Sequence, residues 1–314
     1  MTADRVSVIR ARGPFFVSGE RMDIAAKQAE LDAVTWYHEF DFGNGLRTRT
    51  HCHQLDEHRR VWRLIESQLA TVDFRGKSVL DIGAWDGYWS FHAEKRGARA
   101  VLASDDLGQN WSQGRGIHLA KELLGSAVKI DQNLSVYDLA SRGRKFDVIL
   151  FMGVYYHLHD PFYALAQIRH CCHPNTTVVI GGPLGLGLGP NGALYNFADH
   201  NCEWLPTEGA LRQLLKATYF TDPTGAYFDG SAETPPGRLG WRWRIQMCRA
   251  ALSGARESMR AHLNAVLPRE GASKTTVLIC APFEGEVDLH YYSPPLGLHA
   301  YDPRFRDVPA RRVA

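Results

Sequence analysis

The residues between 81 and 105 have the types and spacing of a cofactor site. Asp81 and Gly83 close an apolar run, Gly87 follows a loop holding Trp85, and Asp105 lies 24 residues beyond Asp81. A glycine-bearing turn after the first strand of a parallel sheet opens the crevice in which cofactors bind. A dinucleotide needs a second glycine two residues after the first, so that backbone approaches the pyrophosphate. Here that position is Trp85, and Asp81 would repel phosphates. NAD and FAD therefore fit poorly. S-adenosylmethionine (SAM) has no phosphate, and its ammonium and sulfonium are cations, so a carboxylate at the strand end attracts it. Asp105, with Asp106 beside it, comes after one strand, one helix and a return strand. An acid placed there accepts hydrogen bonds from both ribose hydroxyls.

A second group follows a later apolar run: Tyr156, His157, His159 and Asp160. In methyl transfer the sulfonium is already an activated electrophile, so aligning the reactants supplies much of the rate. An amine acceptor must lose its proton before attack, and a hydroxyl needs a base as it reacts. Tyr156, His157 and His159 are the candidates, since imidazole is neutral near pH 7, although His157 would equally serve by packing. Asp160 and Glu203 would attract a cationic acceptor, or act as a helix cap and a solvated acid. The stretches "HCHQLDEH" (His51, Cys52, His53, His58) and "HCCH" (His170 to His173) hold metal-ligand types. Neither has paired C-x-x-C spacing, and the second ends a helix, where histidines suit the dipole. No metal is expected. "WRWR" (Trp241 to Arg244) suits base stacking or the buried face of a helix equally well.

These residues need a scaffold, and the chain supplies an alternating one. From Gly76 to Gly182 short apolar runs alternate with amphipathic segments, the pattern of an α/β parallel sheet covered by helices. Strands are expected at Ser78–Ile82, Ala100–Ser104, Ala127–Ile130, Phe146–Phe151 and Thr176–Gly182, with a late strand at Thr275–Ala281. Helices are expected over about Gly87–Arg96, Gln113–Leu124, Pro161–Cys172 and from Thr207 to about Ala217. The glycine-rich Gly182–Gly192 reads as a flexible connection or a substrate-side loop, and helical stretches are expected between Trp241 and Leu267. The chain divides into an N-terminal cap (1–75), a main domain (76–283) with a helical insertion at about 236–268, and a tail (284–314) laid over it.

With 314 residues, 45% hydrophobic and 22% charged, the chain has the composition of an ordinary globular protein. A net charge of +2 provides no large basic footprint for nucleic acid. The N-terminus has no apolar signal region, no run reaches membrane length, and six cysteines read as reduced thiols. A cytoplasmic protein with no membrane partner is expected.

The stretch "VLDIGAWDGYWSFHAEKRGA" (Val79 to Ala98) resembles motif I of the class I SAM-dependent methyltransferases. "FDVILFMGVYYHLHDP" (Phe146 to Pro161) resembles the fourth-strand motif of a narrower group, the enzymes similar to the bacterial tRNA wobble-uridine carboxymethyltransferase. The resemblance begins at "WYHEFDFGNG" (Trp36 to Gly45) and runs through "NCEWLPTEGALRQLL" (Asn201 to Leu215). It implies a mostly parallel Rossmann-like sheet of seven strands with an N-terminal helical and hairpin cap and C-terminal additions. By the same resemblance Asp81, Gly83, Trp85 and Gly87 lie at the methionine end of SAM. Asp105 and Asp106 take the ribose, Ser135 and Val136 border the adenine, and Met152 and Gly153 pass the methionine moiety. Trp36, Tyr37, His38, Asp160, Glu203 and Trp204 then face the acceptor with Tyr156 and His157.

The tRNA enzymes hold the carboxylate of a carboxylated SAM with cationic and tyrosine partners. Their lysine-bearing segment corresponds to Leu46–Trp62, which contains no lysine. Plain SAM is therefore expected, giving S-adenosylhomocysteine as product. Many members of the subgroup resemble natural-product methyltransferases, including amino-sugar N-methyltransferases of aminoglycoside antibiotic pathways. The expected partner is such a small-molecule acceptor. The rivals are a tRNA wobble-uridine modifier and a non-catalytic protein of the same fold, and a dimer is allowed.

Overall fold

Apolar runs flanked by turn residues become strands where the sequence places them. The computed structural model describes residues 9–10, 23–52, 55–108, 110, 112–186, 188–195, 203–228 and 273–284. The N-terminal part contains β1 (Ile9–Arg10), α1 (Ile24–Asp32), β2 (Phe40–Gly43), β3 (Leu46–Arg47) and α2 (Leu55–Leu69). Strand β2 pairs with β1 in parallel and with β3 as a hairpin. Asp23 caps α1 by accepting from the N–H groups of Ala25 and Ala26, and α2 buries Trp62, Ile65 and Leu69 along one stripe.

The main sheet follows. It contains β4 (Ser78–Ile82), β5 (Ala100–Ser104), β6 (Lys129–Asp131), β7 (Phe146–Met152), β8 (Cys172–Gly185), β11 (Thr224–Phe228) and β12 (Ser273–Cys280). The connecting helices are α3 (Tyr88–Lys95), α4 (Arg115–Leu124), α5 (Pro161–His170) and α6 (Glu208–Ala217), and a two-stranded ribbon joins β9 (Ala193–Tyr195) to β10 (Trp204–Pro206). The strand order is β11-β12-β8-β7-β4-β5-β6, with β12 antiparallel to both its neighbours and the other pairings parallel. This is the mostly parallel seven-stranded sheet expected. The chain leaves β4 toward β5 on one side and later returns through β7 on the other. The crevice at the carboxyl ends of β4 and β7 is therefore the switch point of the sheet.

One apolar cluster runs from the cap into the sheet, joining Leu31, Trp36, Phe40, Phe42 and Trp62 to Val79, Tyr88, Phe91 and Val148. The cap thus shares the core of the main domain. A second cluster, with Leu80, Ile149, Phe151, Tyr155 and Trp204, fills the opposite face.

Two expectations change. The expected strand does not give way to a connection after Gly182, since β8 continues through Pro183 and Leu184 to Gly185 and pairs with β12. The missing side chain of Gly182 makes room for the Tyr155 ring, 2.7 Å from where a Cβ would stand. Helix α4 begins at Arg115, because Gln113 and Gly114 are left-handed at φ 58° and 65°. The insertion at about 236–268, "WRWR" and the tail beyond Glu284 lie outside the described residues.

Candidate active site

Strand β4 delivers Asp81 to the switch point. Its side chain is 2% exposed and accepts from Ser90 Oγ at 2.6 Å. Burial raises its pKa to about 7; the Ser90 hydrogen bond opposes the rise, and Asp105 and Asp86 add to it. A carboxylate held half-protonated at neutral pH is primed to ionise when a cation arrives. Gly83 takes φ +67°, and a Cβ on it would stand 2.5 Å from Val154 Cγ2, so only glycine brings this turn against the β7 loop. Trp85 occupies the left-handed region at φ 52°, the conformation a glycine usually supplies. Its N–H donates to Asp105 Oδ2 at 3.0 Å.

Asp105 follows β5. Oδ2 also accepts from Asn110 Nδ2 at 2.7 Å, and Oδ1 accepts from the Asp106 N–H at 2.9 Å. Burial raises its pKa, against the pull of these donors. A carboxylate offers about four lone-pair sites, and three are taken, so one remains on Oδ1. The expected grip on two ribose hydroxyls becomes room for one, unless Asn110 gives way. Asp106 turns aside to accept from the Gly108 N–H at 2.9 Å. Ser135 caps the turn at Val136–Arg142, where Val136 is buried in the second apolar cluster.

Asp86 escaped the sequence reading and is the best-connected acid of the loop. It is 1% exposed and accepts from the N–H groups of Tyr37 (3.1 Å) and His38 (2.8 Å) and from His38 Nδ1 (2.7 Å). Burial would raise its pKa, yet the His38 imidazole and these donors outweigh burial and hold it below the ordinary carboxylate value. Since an ionised carboxylate only accepts, the Nδ1 of His38 carries a proton. The His38 ring stacks on Tyr88 with centroids 4.6 Å apart. This pair fastens the cap to the cofactor loop. The available signal was a second acid immediately before Gly87, matched by the polar "WYH" in an apolar N-terminal segment.

The residues expected to face the acceptor follow the end of β7. Met152 is 7% exposed, and Gly153 donates its N–H to the Gly181 carbonyl at 2.8 Å. Tyr155 turns inward, donating its hydroxyl to the Pro183 carbonyl at 2.6 Å. Tyr156 turns the other way, its hydroxyl 3.8 Å from where a Cβ on Gly153 would stand, and its ring lies 4.1 Å from that of the exposed His157. His159 is exposed and pairs through Nδ1 with Glu203 Oε2 at 3.1 Å. The Glu203 N–H donates to the Tyr156 carbonyl, which carries this acid to the site. Asp160 serves as a helix cap, accepting from the Tyr163 N–H at 2.9 Å. Tyr37, in the cap, is tied to the cofactor loop through its N–H to Asp86; burial raises its pKa, and the charge of Tyr156 adds to the rise.

Two of the expected acceptor contacts are core residues. Trp36 is fully buried, donates Nε1 to the Leu31 carbonyl at 2.9 Å and packs on Phe40 and Phe42, so it holds the cap together instead of meeting an acceptor. Trp204 is 4% exposed and packs edge-on against Tyr155. His38 is likewise buried, behind the loop. Among the described residues no group of three or more His, Cys, Asp or Glu side chains is placed to hold a metal ion. Nor is any described helix long and apolar enough to cross a membrane.

SAM fits these residues. The buried acid at the β4 end suits a cation, the left-handed Gly83 leaves no side chain in the turn, and Asp105 retains an open lone pair for a hydroxyl. Comparison with known proteins agrees. The chain is 29% identical over 156 residues to a tRNA U34 carboxymethyltransferase of Pseudomonas paraeruginosa, covering 48% of this chain and 47% of that protein. It is 29% identical over 137 residues to a tRNA U34 carboxymethyltransferase of Methylococcus capsulatus, covering 42% and 40%. The chain spans about half the length, or less, of these curated relatives. Among solved structures, the fold resembles the N-terminal domain of EvdMO1, crystallised with SAH and D-fucose (TM-score 0.54, 13% identity, 83% of this chain and 97% of that one). It also resembles the [4+2]-cyclase SpnF (TM-score 0.51, 14% identity, 83% and 93%). A family model described as a methyltransferase domain matches residues 53–222, more than half of the chain, and the protein belongs to that family, with the fold of a class I SAM-dependent methyltransferase.

Proposed function

We propose that this protein transfers a methyl group from SAM to an amine or hydroxyl of a small natural-product acceptor, with an amino sugar of the aminoglycoside type as the leading candidate. The observation that carries the reading is the make-up of the acceptor side. Tyr156 stands beside Gly153 with His157 against its ring, and Glu203, paired with His159, donates its N–H to the Tyr156 carbonyl, so in this reading hydroxyls, imidazoles and an acid would face the methyl donor. Such a set suits a cationic, hydroxyl-rich molecule. The carboxylate of Glu203 would favour an ammonium by charge, and tyrosine hydroxyls hydrogen-bond to sugar oxygens.

In this reading Asp81 and the turn at Gly83 bind the methionine end of SAM, Asp105 takes a ribose hydroxyl, and Met152 and Gly153 flank the transfer path. Bound SAM supplies an activated methyl group. The chain contributes alignment, exclusion of water and acceptance of a proton. Mass spectrometry of amino sugars and aminoglycosides incubated with the protein and SAM tests it: one added methyl on an acceptor supports the reading, and none across a broad panel counts against it.

The curated relatives favour a second reading, in which the acceptor is the wobble uridine of tRNA. The absence of lysine from Leu46–Trp62 weighs against carboxymethyl transfer.

A further inference from the structure

The cap brings a tyrosine and a histidine together at the edge of the site. Tyr37 Oη lies 3.0 Å from His58 Nδ1, with the two rings edge to face at 5.3 Å. The Tyr37 backbone is pinned to the cofactor loop by Asp86, so the phenol is held in place from its root. The charge of Tyr156, whose hydroxyl lies 3.8 Å from where a Cβ on Gly153 would stand, adds to the raising of the Tyr37 pKa. A hydrogen-bonded pair therefore joins Tyr37, anchored to the cofactor loop, to His58, a half-buried residue in the first turn of α2. His157 is exposed with its ring 4.1 Å from that of Tyr156, and His159 is exposed and engaged by Glu203; the Tyr37–His58 pair involves neither.

We propose that Tyr37 and His58 form the proton relay of the methyl transfer, with His58 as the terminal base. The proposal rests on the methyltransferase reading above and adds the base to it. The acceptor's nitrogen or oxygen lone pair forms the bond to the methyl carbon as the methyl–sulfur bond breaks, and the electron pair of that bond stays on sulfur. The proton that the acceptor releases passes to Tyr37 Oη while the Tyr37 proton passes to His58 Nδ1. The resulting imidazolium gives a proton to solvent. Donation by the Tyr37 hydroxyl makes Nδ1 the acceptor and leaves the proton of neutral His58 on Nε2.

The electrostatics agree. Burial lowers the His58 pKa; Glu57 on the same helix opposes this, while His51 and His38 lower it further, so the imidazole is neutral at pH 7 and able to accept. Burial raises the Tyr37 pKa, and Tyr156, Cys52 and Asp86 add to that against Trp62, so the phenol is protonated at rest and has a proton to donate to His58.

The test uses the full-length protein and the variants Tyr37→Phe and His58→Gln. Calorimetry should find SAM affinity within about twofold of wild type, while methyl transfer to the best acceptor of the amino-sugar panel falls roughly a hundredfold or more. The acid limb of the wild-type pH–rate profile should disappear in His58→Gln, and added imidazole should restore turnover to His58→Ala. Full activity in His58→Gln, or loss of SAM binding in step with activity, would overturn the relay. A second readout needs no acceptor: nitrogen NMR of labelled histidine should find His58 protonated on Nε2, with its Nδ1 shift altered by Tyr37→Phe. Protonation on Nδ1 would overturn the relay, even if the protein proved an active methyltransferase. Failure of the wild type to methylate anything would instead strike the parent reading.

Discussion

Asp81 makes SAM binding a reporter of pH. Burial lifts this carboxyl to about 7, whereas it would titrate at 3.8 in the unfolded chain. A bound cation favours the ionised form and pulls the pKa down, so binding must expel the proton that free Asp81 carries. With a pKa of about 7, the ionised fraction of the free protein is about 0.09 at pH 6 and about 0.9 at pH 8. SAM affinity should therefore rise about tenfold across that interval, which corresponds to about 1.4 kcal/mol. Titration calorimetry at pH 6 in buffers of different ionisation enthalpy should count about 0.9 proton released per SAM bound. Asp81→Asn should flatten the profile, matching wild type near pH 6 and binding more weakly at pH 8. The stability of the free protein changes in the opposite sense. A folded-state pKa raised above the unfolded value contributes stability that is complete below 3.8 and lost as pH rises through about 7. Free protein should thus melt at a lower temperature at pH 8 than at pH 6, and Asp81→Asn should remove that part of the difference. Binding without proton release, and an affinity indifferent to pH, would refute the placement of the SAM cation beside Asp81.

Three further outcomes follow from the same geometry. Asp105→Ala should weaken SAM binding by about 2 kcal/mol, or about thirtyfold, through loss of a charge-assisted hydroxyl contact; unchanged affinity in calorimetry would show that the ribose lies elsewhere. Asp86→Ala strands the N–H groups of Tyr37 and His38 and the His38 Nδ1–H in a buried place, and should cost about 3–5 kcal/mol in urea unfolding; a loss below about 1 kcal/mol would mean that the cap stands without this pair. Gly83→Ala sets a Cβ 2.5 Å from Val154 Cγ2 in a left-handed turn that costs a side chain about 1–2 kcal/mol. Adding Val154→Ala should recover the steric part of the lost stability, and no recovery would place the strain outside this contact.

The parts of the fold that were legible in the sequence are those where local pattern and tertiary environment agree. Ser78–Ile82 and Ala100–Ser104 are strands at the expected residues because their apolar runs are buried on both faces of the sheet. Helix α6 starts where Thr207 signals it, the threonine accepting from the Ala210 N–H. The same held for the order of Asp81, Gly83 and Asp105 along the crevice. Legibility failed where a residue's meaning depends on a distant partner. Pro183 to Gly185 looked like the start of a connection because nothing local records the β12 strand that pairs with them. Trp36 looked like an acceptor contact because an indole carries no mark of whether a cap will enclose it. Asp86 needs His38, 48 residues earlier, before it reads as more than a loop acid. His58 was visible only as a metal-ligand type until Tyr37 was found beside it.

The most direct test of the central claim follows the methyl group itself. The purified protein would receive SAM with a radiolabelled methyl, together with unmodified bulk tRNA and a panel of aminoglycosides and amino-sugar precursors, and the two fractions would be separated and counted. The account predicts label in the small-molecule fraction, reduced in Asp105→Ala when SAM is limiting. Label confined to tRNA would contradict it and assign the acceptor side to the wobble uridine.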